Sequence, residues 1–94
     1  MEIEWSLQAE ADLEEIADYY GQFDPALPDR LIERAYQAPK ILCEQPRLGA
    51  RVDETGLRKW PVRKTPFLLF YQVLGERIAM VRVVHATSDW MKDL

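Results

Sequence analysis

Ninety-four residues, 48% of them apolar, 11% aromatic and 30% charged, describe a single globular domain over 1–94 with enough apolar matter to form a core. One cysteine excludes an internal disulfide, no apolar run nears the ~20 residues of a membrane span, and the acidic start Met1-Glu2-Ile3-Glu4 lacks the order of a signal peptide, so a cytoplasmic protein is expected. The net charge of -4 is uneven: residues 1–46 hold eleven acids and three bases, and residues 47–94 hold five acids and nine bases. An acidic total argues against general or sequence-specific nucleic-acid binding, which phosphate neutralisation drives.

Met1–Trp5 alternates apolar and acidic side chains, as a half-buried strand does. Ser6 then supplies an N-cap. Ala9, Leu13, Ile16 and Tyr20 form one helical stripe, while Glu10, Asp12, Glu14, Glu15 and Asp18 read as a solvated acidic face. Gly21 and Asp24-Pro25 end this helix near Gln22. A second helix is predicted from about Pro25 to Glu44 on the stripe Leu27, Leu31, Ala35, Ala38 and Leu42. Pro39 removes a backbone hydrogen bond inside it, so a kink or break is expected around Ala35–Ala38. Cys43, at its end, reads as a small core residue.

Pro46 to Gly56 reads as a loop. Three strands follow. Leu57–Val62 contains Pro61, which cannot donate to a ladder and places this strand at an edge or a bulge. Phe67–Val73 is continuously apolar, as expected of a central strand buried on both faces. Gly75-Glu76 turns into Ile78–Val84, which alternates less cleanly. The tail Trp90–Leu94 reads as a short helical or extended segment. The order β-α-α-β-β-β predicts a two-layer α+β domain, a helical hairpin packed on a small, mainly antiparallel sheet.

Nothing in this pattern forms a convincing active site. Neither a metal cluster nor a phosphate-cradling glycine loop is expected, and no cofactor. Arg58 and Arg82, on strands that are neighbours or near-neighbours, read either as a basic patch for an acidic partner or as ordinary surface pairing. His85 reads as a structural histidine or a general base. Trp90 reads as a packed tail or as an exposed partner anchor. Arg63 and Lys64 read as solvated loop charges.

Several segments, taken in order, make the chain resemble the RelE/ParE superfamily of toxins over nearly its whole length. They are Trp5-Ser6 with Ala9 and Asp12-Leu13-x-x-Ile16-x-x-Tyr19; Pro46-x-x-Gly49; Gly56-Leu57-Arg58; Phe67-Leu68-Leu69-Phe70-Tyr71-Gln72-Val73; and Arg82-Val83-Val84-His85-x-x-x-Asp89-Trp90. The resemblance implies the same α+β fold and a partner, a ParD-like antitoxin. RelE-like members are ribosome-dependent ribonucleases whose cationic cluster commonly includes an arginine three residues before the tyrosine of the third strand. Leu68 stands there and supplies neither charge nor base. The Leu68–Tyr71 run and the Val83-Val84-His85 ending resemble the ParE branch, which implies inhibition of DNA gyrase by binding and no catalytic residue. Ser88 stands where ParE-like endings often carry an arginine, so a degenerate, non-toxic, antitoxin-binding member is one alternative and a RelE-like endoribonuclease the other.

Overall fold

A computed structural model describes residues 1–87; the tail reading for Trp90–Leu94, and Ser88, lie outside the described residues. The elements run β1 (Glu2–Trp5), α1 (Leu7–Gly21), α2 (Leu27–Gln37), a 3-10 segment (Ala38–Cys43), β2 (Ala50–Val52), β3 (Leu57–Pro61), β4 (Phe67–Leu74) and β5 (Arg77–His85). The sheet order is β1-β5-β4-β3-β2. Only the β1–β5 pair is parallel, running from Glu2 opposite Arg77 to Trp5 opposite Met80, and the remaining pairs are antiparallel. A two-layer α+β fold with a helical hairpin on a mainly antiparallel sheet is what the sequence pattern predicts.

Ser6 makes the first corner. Its backbone N–H donates to the Met80 carbonyl, its hydroxyl donates to the Val81 carbonyl, and the same oxygen accepts the Ala9 N–H, each at 3.0 Å. One small side chain therefore ends a strand, ties it to β5 and caps the next helix. The second helix is shorter than the sequence suggests: it begins at Leu27 and gives way after Gln37 to the 3-10 segment that holds Pro39. Proline lacks the donor an α-helix needs, and the tighter turn absorbs the loss. Pro39 and Leu42 are buried there, whereas Cys43 is only half-buried.

The expected loop before β3 contains a strand that the sequence reading misses. β2 is three residues long, pairs Ala50 with Lys59 through Val52 with Leu57, and buries only Val52. Because β2 covers β3 only as far as Lys59, β3 is interior at its start and an edge at its end. Val62 donates its N–H to Phe67, so by antiparallel alternation Pro61 directs its backbone away from β4, past the point where β2 has ended. The missing donor of Pro61 thus faces a side that has no strand, which reconciles proline with an interior strand.

β4 is buried on both faces. Leu69 and Tyr71 join a core with Ala9, Leu13, Leu31, Ala35, Leu42, Ile78 and Met80, while Phe70 joins Val52, Leu57 and Val84 on the other side. The irregular alternation of β5 is a bulge. Tyr71 pairs with Met80 and Phe70 with Arg82, leaving Val81 as the extra residue. The bulge shifts the side-chain parity, so Met80 and Val83, three apart, both reach the helix-side core.

Candidate functional site

Asp12 is the buried charge on the helix side, 5% exposed. It lies where β1 has run out along the edge of β5. Its Oδ2 accepts the Val83 N–H at 2.8 Å and Arg82 Nε at 2.9 Å; its Oδ1 accepts Arg82 Nη2 at 3.2 Å and Gln8 Nε2 at 3.0 Å. The carboxylate thus completes the ladder edge that β1 leaves open and neutralises the strand's arginine with a two-point contact. The reading of Asp12 as one of five solvated acids is corrected here. Asp12 follows Ala9 by three and precedes Ile16 by four, so it belongs to the apolar stripe, and a buried carboxylate survives only because every contact is charged or hydrogen-bonded.

A second polar cluster holds the loop before β2. The buried Tyr71 hydroxyl donates to the Pro46 carbonyl at 2.8 Å and accepts the Gly49 N–H at 2.9 Å. Burial pushes the Tyr71 phenol above its ordinary value of 10, against the opposing pull of the Gly49 hydrogen bond and the Arg58 charge. Arg58 Nη1 donates to the Gly49 carbonyl at 2.8 Å and the Arg47 carbonyl at 3.1 Å. Gly49 is required sterically, since a Cβ there would lie 2.6 Å from the Tyr71 hydroxyl and 2.7 Å from the Lys59 carbonyl.

His85 sits at the far end of β4, opposite Phe67 and in edge contact with its ring at 5.7 Å. Its Nδ1 accepts the Thr87 N–H at 3.2 Å and lies 2.7 Å from the Thr87 hydroxyl. Arg58 pairs with Tyr71 and His85 with Phe67, four residues apart on β4, or about 13 Å at ~3.3 Å per residue. Arg58 and Arg82 are likewise divided by β4, as near-neighbours rather than neighbours. The structure therefore does not gather Arg58, Arg82 and His85 into one site, and Trp90 lies outside the described residues. Leu68 stands between Pro61 and Val84 and brings no charge. Among the described residues, no three His, Cys, Asp or Glu side chains converge on a metal-sized space.

Such an arrangement can hold a fold together and present surfaces; general acid–base chemistry on a phosphodiester needs a base and free cations within reach of one atom. A family model described as the ParE toxin of the type II toxin–antitoxin system, parDE, matches residues 3–90. Toxin RelE2 of Caulobacter vibrioides is 35% identical over 85 residues, spanning 90% of this chain and 94% of its own. Among solved structures, a chain of the chromosomal ParDE TA system from P. aeruginosa superposes with a TM-score of 0.81 at 24% identity, over 90% of this chain and 95% of that one. A chain of the toxin–antitoxin complex RelBE2 from Mycobacterium tuberculosis gives a TM-score of 0.57 at 22% identity, over 89% and 95%. At these identities the two structures speak to the fold.

Proposed function

The chain belongs to the ParE toxin family of type II toxin–antitoxin systems, and we propose that it acts in the bacterial cytoplasm by binding DNA gyrase, without catalysis of its own, and is neutralised by a ParD-like antitoxin. The observation that carries this reading is the state of its candidate catalytic groups. The Arg82 guanidinium faces Asp12, His85 Nδ1 is taken up by Thr87, and Arg58 braces backbone carbonyls on the other side of β4. Metal-free cleavage of RNA needs cationic side chains around a dianionic phosphorane and a base on the 2′-hydroxyl, and Leu68 withholds one of the expected cations. Partner contact is proposed for Arg58, Arg82, His85 and Trp90, with Arg82 the weakest of the four because its charge is already matched.

A ribosome-dependent ribonuclease is the second reading, and the name of the 35% identical relative, Toxin RelE2, favours it. Purified protein tested in gyrase supercoiling and DNA-cleavage assays, beside a ribosome-programmed mRNA cleavage assay, separates the two. Accumulation of cleaved DNA with intact mRNA supports the gyrase reading. Cut mRNA with unaffected supercoiling overturns it.

A further inference from the structure

The flank of α2 carries a surface that the contacts above leave unexplained. An open groove of about 830 Å³ runs between α2, the 3-10 segment and the end of β3. Ile41 and the faces of Trp60 and Pro61 form its floor; Arg34, Arg63 and Lys64 form its rim. The floor is firm, because the Trp60 indole N–H donates to the Ala38 carbonyl at 2.9 Å. The rim is tethered too: Arg34 donates to the Lys64 carbonyl at 3.3 Å, at a turn where Lys64 holds a φ of 61°. No ion pair among the described residues involves the three rim cations. Arg30 lies one turn back along α2, four residues from Arg34, and with Glu33 and Gln37 lines the adjoining depression, so that four cations stand against one carboxylate along this flank.

Three features select the occupant. Cations crowd this flank of a protein whose total charge is -4, so the complementary ligand is acidic. The floor is apolar and Ile41 is 44% exposed, which calls for a large apolar side chain between the charges. Pro61 offers no N–H on the side where β2 has stopped, which removes a ladder donor from an added strand and favours docking through side chains. We propose that this groove docks an acidic amphipathic helix of a protein partner, with carboxylates one turn apart on the rim and an aliphatic or aromatic side chain between Ile41 and Trp60. That the partner is the antitoxin rests on the toxin–antitoxin reading; the docking chemistry does not.

The test titrates the 15N-labelled 94-residue chain with a synthetic helix-forming peptide bearing glutamates on one face and leucines on the other. Amide shifts clustered at Ile41, Trp60 and Arg63 are expected, and the double variant R34E/R63E should weaken binding at least about tenfold, the scale of close charge pairs across an interface. The same peptide with lysine for glutamate should bind R34E/R63E better than it binds the unaltered chain. Ile41→Ser should weaken the acidic peptide several-fold with an unchanged melting temperature. Shifts centred elsewhere, an indifferent response to charge reversal, or tighter binding of oligothymidylate than of the peptide would overturn the proposal. Supercoiling assays on the same samples keep the two readings apart. Gyrase inhibition by a chain that ignores the peptide removes the groove alone, whereas peptide in the groove without gyrase inhibition supports the groove and removes the gyrase reading.

Discussion

Arg82 lies on β5 with its guanidinium against the Asp12 carboxylate, whereas Arg34 and Arg63 line an open groove and, among the described residues, enter no ion pair. From sequence, Arg82 reads either as a partner contact or as ordinary pairing, and Arg63 as a solvated loop charge; the structure shows Arg82 paired with Asp12 of the first helix. What separates them is the ladder edge. β1 ends at Trp5, so Val83 needs an acceptor and its neighbour Arg82 is drawn to the acid that supplies it. On the opposite side, β2 pairs with β3 only as far as Lys59, and Arg34, Arg63 and Lys64 line the groove next to the unpaired end of β3. An edge strand that stops early is thus a structural junction on the β5 side, where a buried carboxylate completes the ladder, and borders an open groove on the β3 side.

Asp12→Ala tests the junction most severely. It orphans the Val83 N–H and takes the buried carboxylate away from the Arg82 guanidinium. Breaking a buried pair costs about 3–5 kcal/mol, and the partial exposure of Arg82 places this case near about 3. For a domain of this size that lowers the melting temperature by roughly 12–24 °C. Thermal and urea unfolding give the value; a loss under about 1 kcal/mol would mean that the junction is ornamental and the contrast between the two arginine sets is false.

Next in size is Gly49→Ala, where the added Cβ meets the Tyr71 hydroxyl and a backbone carbonyl that cannot swing aside. Overpacking of this kind costs about 1–3 kcal/mol, read as a lower urea midpoint at unchanged slope. This position also marks how far the sequence was legible. Period and punctuation placed both helices, β1 and the last three strands, because those elements bury continuous stripes that local pattern records. β2 was illegible because it buries Val52 alone and owes its pairing to β3. The parallel pairing of β1 with β5, joining chain positions more than seventy residues apart, leaves no local trace either. For the site, Asp12 carried a readable signal in its spacing from Ala9 and Ile16. The roles of Gly49 and Tyr71 did not, since they depend on a loop closing over a strand 22 residues away.

Tyr71→Phe keeps the ring and removes the hydroxyl, stranding the buried Gly49 N–H and the Pro46 carbonyl; about 1–2 kcal/mol of destabilisation is expected. The phenol also gives a pH signature. Its folded pKa lies above 10, so the folded state holds the proton more tightly than the unfolded one. The stability it contributes is full below pH 10 and is lost as pH rises from 10 through the higher folded value. Ultraviolet titration should show a tyrosine step above pH 10 that vanishes in Tyr71→Phe. If the titration curves of the unaltered chain and Tyr71→Phe differ by no such raised step, the loop clamp is open in solution.

The smallest effect on stability belongs to the groove, and its smallness is what the comparison requires. Arg34 and Arg63 are exposed, and Arg34 makes a long hydrogen bond to the Lys64 carbonyl. Surface substitutions away from buried features shift stability by about 0.5 kcal/mol or less, so R34E/R63E should melt within a few degrees of the unaltered chain. An arginine pair that adds little to the stability of its own chain, yet lines a groove with a fixed apolar floor, is what the proposed docking requires. A melting point lowered as far as in Asp12→Ala would place Arg34 and Arg63 with Arg82, as parts of the fold, and the distinction between inward and outward arginines would collapse.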